Sequence, residues 1–477
     1  MPDATLAEQI GAFATASTFD VLPADVVASV RQRVLDTLGI CVAASPLDTS
    51  RAARAFAAGQ GGHQQAHAVG MAGRCPATLA AFVNGVLAHS LDYDDTHLPS
   101  VLHPSASVIP GALAAGEMVG ASGAPVIAAI ACGLEVCVRL GMAGYDESAG
   151  SSTFFDHGQH ATSICGALGA AVAAGLLFGF DAAGVTDALG VAASMASGII
   201  EANRTGGTVK RMHCGWAAHA GVSAAQLVRY GFTGPPTVLE GRFGFFEAWL
   251  HGRADLSAVT GELGTRWAVP GIFFKPYPAN HFTHTAIDAA AGLRRRGVDP
   301  WDIESMELGV AAPIVRTIGE PIEVKRQPET GYMAQFSGPY AVVAGLLGGS
   351  GLGVGLDDFT DALARDHQRR QLMDRVSVVE DAECTAAFPH QFPAVLRARL
   401  RNGDELVERV MTNWGGPDRP LSDRDLVIKF EDNAGRALEP ASVAEVGSLV
   451  ADLAALDDVG RLLAPLGAAA TGDGLGG

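Results

Sequence analysis

Between Asn84 and Ser107 the chain carries His89, Asp92, Tyr93, Asp94, Asp95, Thr96, His97 and His103, inside a sequence otherwise rich in Ala, Gly, Val and Leu. Asp92, Asp94 and Asp95 repel one another at this spacing, so they need solvent, cations, hydrogen-bond donors or shifted pKa values. With only 18% of residues charged, such a concentration points to chemistry. If a helix over 76–91 ends near Asp92 and a loop runs on to His103-Pro104, then Asp92, Thr96 and His103 converge. A histidine held by a carboxylate is a usable acid or base near neutral pH. The plainer reading is a loop whose Asp and Thr side chains cap helix ends.

Three further patches carry similar potential. In Phe155-Asp-His-Gly-Gln-His160 the last histidine precedes an uncharged helical stretch. There the helix dipole lowers an imidazole pKa and free N–H groups attract anions; taken alone, this is polar punctuation. Thr205-Gly-Gly-Thr-Val-Lys210-Arg-Met-His213 reads as a Gly-rich turn before a helix, suited to cradling a carboxylate or phosphate. It lacks the spacing of a P-loop, and its bland alternative is a solvated basic turn. Phe274-Lys275-Pro-Tyr-Pro-Ala-Asn280-His281-Phe-Thr-His284 is a proline-stiffened hinge, where Lys275 and a histidine can reach a pocket between domains. The glycine run Gly348–Gly355 follows no convincing strand and is set aside as a nucleotide loop.

The elements that must position these groups are mostly helical as far as about residue 265. Apolar residues recur at helical spacing in 25–44, 76–91, 106–119, 125–140, 163–177, 182–197 and 217–230. Beyond a Pro- and aromatic-rich hinge at 267–279 and a helix at 284–296, strand signals appear at 305–311, 375–379, 395–401 and 405–410. The last two flank Asn402-Gly403-Asp404, a hairpin signal. Stretches 340–347 and 357–366 read as helices, and helical texture returns over 423–463. The fold class is therefore mainly α: a large helical domain (1–268, completed by 417–465) and a smaller α+β domain (269–416), with a disordered tail at 466–477.

Composition narrows the function classes. The net charge of −18 (33 basic, 51 acidic residues) argues against nucleic-acid and anionic-membrane partners. Lysine occurs only at 210, 275, 325 and 429, which hints that these positions need a compact point charge. The seven cysteines are scattered and mostly in apolar stretches, as expected of buried free thiols in a reducing cytoplasm. Cys132 and Cys137 have no matching second pair, so no zinc site is expected. The N-terminus lacks the features of a secretory signal. The uncharged run 161–180 is long enough to raise a membrane span, but its glycines favour a buried helix of a soluble protein.

Taken in order, LDTLGICVAAS, HSLDYDDTHLPSVLHPSA, GQHATSICGALGAA, GGTVKRMHCGWAAHAG, FKPYPANHFTHTAIDAAA, SGPYAVVAGLL and GGPDRPLSDRDLVIKF resemble the MmgE/PrpD family. That family includes 2-methylcitrate dehydratase, cis-aconitate decarboxylase and iminodisuccinate epimerase. The resemblance implies a cofactor-independent homodimer, with no metal, acting on a small di- or tricarboxylate, and makes the smaller α+β domain a lid domain. It places Asp92, Thr96, His103, His160, Lys210 and Lys275 on positions of the decarboxylase-type active site, where the position of Asn280 is a histidine. That departure weighs against a decarboxylase.

The residue types permit a coherent mechanism. His103 and His160 serve as acid and base, Asp92 orients a histidine, and Lys210 and Lys275 stabilise charge on substrate carboxylates. Thr96, His213, Asn280 and His281 complete the substrate contacts. The expectation is a 2-methylcitrate dehydratase-like hydro-lyase, with an epimerase or isomerase next and a decarboxylase third. Two readings from other classes are a Mg²⁺-dependent diphosphate enzyme built on Asp92-x-Asp94-Asp95 and a non-catalytic helical scaffold. The first lacks a second downstream metal motif.

Overall fold

The computed structural model describes residues 4–148, 150–202 and 206–471. The chain divides into two compact units, Met1–Ile272 with Asn433–Gly477, and Phe273–Asp432. The return to the first unit thus comes later than the 416/417 boundary expected from the sequence. Residues 466–471 of the tail expected to be disordered are held in the fold. Ala464–Ala468 forms a 3-10 turn with Leu466 buried, and Ala470 N–H donates to the Ala437 carbonyl. Residues 472–477 lie outside the described residues.

The first unit is built from α1 (Leu6–Ala16), α2 (Ala24–Ala44), α3 (Asp48–Gln60), α4 (Ala77–Ala88), α5 (Ser105–Val119), α6 (Gly123–Ala143), α7 (Ala161–Leu177), α8 (Ala182–Ala193) and α9 (Val209–Arg229). Helix α9 packs most extensively on α7 and α4, and α7 packs also on α6 and α5. Small residues make this possible. A Cβ on Gly85 of α4 would lie 2.7 Å from the Cα of Gly215 in α9, and one on Gly133 of α6 would lie 2.6 Å from the Gly169 carbonyl oxygen in α7. Backbones approach to a distance that any larger side chain would prevent, which accounts for an apolar content rich in Ala and Gly.

Helix α6 is long and apolar enough to cross a membrane, but 94% of its apolar window is buried in the fold, as in the core helix of a globular unit. Helix α9 begins at Val209 rather than at 217. Lys210, Arg211 and His213 therefore sit in its opening turns and not in a Gly-rich loop; Thr205 lies outside the described residues.

The second unit carries a four-stranded sheet of β1 (Ile303–Val310), β2 (Val376–Glu380), β3 (Ala394–Leu400) and β4 (Glu405–Val410), in the order β2-β1-β3-β4. Strand β1 runs parallel to β2 and antiparallel to β3. The β3–β4 hairpin turns at Asn402-Gly403-Asp404, where Gly403 takes φ 94°. Helix α10 (His284–Arg295) packs on β3, β4 and α11 (Gly338–Leu347). The helix expected over 357–366 is broken, because Thr360 is extended (ψ 157°) and its side chain caps the next turn at Leu363.

The α4–α9 contact sets the separation of the segments that follow and precede it. Gly215→Ala is expected to destabilise the protein by about 1–3 kcal/mol, because the added Cβ meets the Phe82 carbonyl oxygen as well as the Val86 side chain and backbone nitrogen. Denaturant or thermal melts check this, and an unchanged midpoint would contradict the close-packing account.

Candidate active site

Helix α4 ends at His89, which leaves helical geometry (φ −101°, ψ 2°) and starts the acidic loop. The loop is closed by an antiparallel bridge between His97 and Leu102, and His97 Nδ1 meets Ser100 Oγ at 2.7 Å. Asp92 and Val101 both take left-handed backbone, φ 52°. Aspartate tolerates that region, whereas a β-branched valine is strained there. Held conformations of this kind cost of order 1–3 kcal/mol each and persist only when their surroundings over-determine them.

The surroundings are centred on Asp95. Its carboxylate receives Arg33 of α2 at 2.7 Å and the Ser105 N–H at 3.2 Å, and the Ser105 hydroxyl donates to it as well. Arg33 also donates from Nη2 to the Val269 and Ile272 carbonyls. Burial pushes the Asp95 carboxyl up and the Arg33 guanidinium down, and each offsets the cost of the other. The Asp95 carbonyl accepts a hydrogen bond from His103 Nδ1 at 2.7 Å, with Thr96 Oγ1 at 3.3 Å from the same nitrogen. With Nδ1 protonated, Nε2 is the basic nitrogen of the neutral His103 ring.

Four imidazoles gather beside this loop. His89 Nδ1 donates to Asp94 Oδ2 at 2.7 Å. The His89 ring centroid lies 5.3 Å from that of His103 and 5.6 Å from that of His160. His160, at the start of α7, and His213, in the second turn of α9, bring their Nδ1 atoms to 2.8 Å, so one of them carries the proton between them. Burial first, then neighbouring His89, His213, Lys210 and His103, push His160 well below the ordinary imidazole pKa. His213 is pushed down to about 4 by burial, His89 and Lys210. Burial leads the His160 shift. Lys210 Nζ lies 3.7 Å from Asp92 Oδ1.

The first unit thus brings together Asp92, Thr96, His103, His160, Lys210 and His213. The three loop aspartates face different partners: the Asp92 carboxylate stands beside Lys210, Asp94 holds His89, and Asp95 pairs with Arg33. His89, Asp94 and Arg33 were underweighted, although an arginine amid the apolar residues of α2 and a histidine ending an apolar helix were visible signals.

Lys275, Asn280 and His281 belong to the second unit. Lys275 and His281 are buried. Asn280 Oδ1 accepts from Phe282 N–H at 3.1 Å, which is a helix-capping role. The His281 ring packs among Phe273, His284 and Phe392. These contacts anchor Asn280 and His281 within the second unit.

Among the described residues, His89, Asp94 and Cys214 bring possible metal-ligand atoms within 4.8 Å of one another. His89 Nδ1 is already committed to Asp94, and burial pushes the Cys214 thiol well up, away from the thiolate a metal prefers. The trio is a hydrogen-bonded His–Asp pair beside a thiol and does not fit a metal well. All seven cysteines are free and buried.

The depressed imidazoles carry a stability signature. An unfolded histidine titrates near 6.5, while folded His213 titrates at about 4. Below pH 6.5 the unfolded chain therefore binds protons that the folded chain refuses. The stabilisation is complete above that value and is lost as pH falls toward the folded pKa. Melting temperature is expected to drop between about pH 7 and pH 5, and His213→Asn to flatten that drop. Equal slopes for both proteins would contradict a buried neutral imidazole at 213.

Comparison with known proteins gives the family of the whole chain. Residues 8–256 match the MmgE/PrpD N-terminal domain and residues 277–454 match the MmgE/PrpD C-terminal domain. The chain is 31% identical to cis-aconitate decarboxylase of Mus musculus over 81% of this chain and 77% of that protein. It is 30% identical to the Homo sapiens protein of the same name, over 81% and 78%. It is 26% identical to cis-aconitate decarboxylase of Aspergillus terreus, over 80% of each. With both domains matched in order across most of its length, this chain belongs to the MmgE/PrpD family of enzymes.

Proposed function

We propose that this protein is a lyase that removes CO₂ from a small unsaturated tricarboxylate of the cis-aconitate type. The observation that carries the reading is the imidazole cluster of the first unit with Lys210 at its side, in a chain whose relatives are named as decarboxylases. It replaces the dehydratase expected first from the sequence. The two residues of the cluster with the most open side chains are Lys210 (18% exposed) and His103 (12%). An ammonium there offers a counter-charge to a substrate carboxylate.

Breaking the carbon–carboxylate bond leaves an electron pair on the substrate skeleton. One proton closes the balance, delivered to carbon by His103 or His160 as an imidazolium. Asp92, beside Lys210, keeps the ammonium in place, and Thr96 steadies His103. The reaction needs one proton in and releases one CO₂.

A second reading rests on the family resemblance, in which a histidine of the decarboxylase-type site falls at the position of Asn280. Under it, the same imidazoles take a proton next to a carboxylate and protonate a departing hydroxyl, which is the hydro-lyase chemistry of a 2-methylcitrate-like acid.

NMR of the purified protein in D₂O with cis-aconitate, citrate, 2-methylcitrate and iminodisuccinate separates these readings. The expected outcome is loss of CO₂ from cis-aconitate with one deuterium gained at carbon. Water loss from 2-methylcitrate would replace the proposal with the hydro-lyase, and deuterium exchange without net change would replace it with an epimerase. His103→Ala and Lys210→Ala are expected to lower kcat/KM by at least about 100-fold with unchanged melting behaviour. Wild-type turnover in either variant would remove the first-unit cluster from the chemistry.

A further inference from the structure

We propose that His89, clamped by Asp94, is a proton relay between the partly open His103 and the buried His160. The inference rests on the acid/base reading of the cluster above and assigns it a third working imidazole. His89 is 3% exposed and His160 also 3%, whereas the His103 side chain keeps 12%. A buried acid that has given up its proton needs a route by which to regain one, and His103 is the ring with the readier access to solvent. The His89 ring lies against both, with centroids 5.3 and 5.6 Å away.

The bonding of His89 suits the task. Its Nδ1–H is fixed on Asp94 at 2.7 Å, which sets the tautomer and leaves Nε2 as the nitrogen that gains and loses a proton. Nε2 is buried and has no hydrogen-bond partner among the described residues. A buried polar atom without a partner is costly, a cost that a carbon-only side chain would avoid. A proton leaving the His103 imidazolium crosses a bridging water to form an N–H bond at His89 Nε2, and the Asp94 carboxylate balances the resulting imidazolium. That N–H bond then breaks, again through a bridging water, as one forms on His160. One proton enters and one leaves, with no change in oxidation state.

The charged and titratable groups facing this step are Asp94, His103, His160, His213, Lys210 and the Cys214 thiol. Burial first, then His89, His213 and Lys210, keep His160 neutral between turnovers, so a transferred proton does not rest there. It passes on to substrate.

The test is made on whichever carboxylate the unaltered protein turns over, so that a wrong substrate assignment leaves it intact. His89→Gln keeps a donor for Asp94 but cannot titrate. It is expected to lower kcat by about 10- to 100-fold with KM changed by less than about 3-fold. Added imidazole is expected to restore turnover to His89→Ala, which a purely structural role would not allow. If His89→Ala does not fold, the glutamine variant carries the test. Unchanged kcat in His89→Gln, or a loss in folded His89→Ala that imidazole does not rescue, overturns the relay.

Should the unaltered protein turn over no carboxylate, the lyase reading fails separately. The relay is then read from ¹⁵N-histidine titrations. His89→Gln is expected to shift the titrations of both His103 and His160, and titrations that stay the same as in the unaltered protein overturn it.

Discussion

The buried ion pair between Arg33 and Asp95 is the constraint on which the site depends. Both side chains are almost fully enclosed, and two charges taken out of water are tolerated only when each is paired and further hydrogen-bonded. Asp95 meets that requirement and turns it into geometry. Its carboxylate ties α2 to the start of α5 through Arg33 and Ser105, while its backbone carbonyl fixes the tautomer and direction of His103. Removing either charge would strand the other, at about 3–5 kcal/mol. It would also release a loop that holds Val101 in a left-handed conformation.

Close helix packing does the rest. Glycines at 85, 133, 169 and 215 let α4, α6, α7 and α9 approach to backbone contact. The end of α4 and the beginnings of α7 and α9 then bring His89, His160 and His213 close enough for ring contact. Each histidine comes from a different helix terminus, where a side chain can leave the apolar packing without leaving a polar group stranded in it. Burial holds His160 and His213 neutral, so a proton placed on the cluster is readily passed on.

The helices and the β3–β4 hairpin were legible because apolar spacing and the Asn402-Gly403-Asp404 turn are local signals. The start of α9 was not. Gly206 and Gly207 read as a continuing loop, but packing against α7 and α4 extends the helix back to Val209 and so places Lys210 and His213. The break at Thr360 was hidden in a helix-like pattern for a similar reason, since a side-chain cap decided it. For the site, the residue types and most of the cluster could be read in advance. The division of labour among the three loop aspartates could not. Asp92, Asp94 and Asp95 differ only in which way the chain turns them: toward Lys210, His89 and Arg33. Arg33 itself, far away in sequence and set in an apolar helix, becomes meaningful only once the fold brings Asp95 to it.

The central claim is that the imidazole cluster and Lys210 receive the reacting carboxylate. A crystal structure with citrate bound tests this most directly, since citrate offers the tricarboxylate frame without the double bond. The account predicts one carboxylate within hydrogen-bond distance of Lys210 Nζ, with the central carbons against His103 Nε2 and His160. Citrate bound away from these groups, with the cluster still closed on itself, would contradict it.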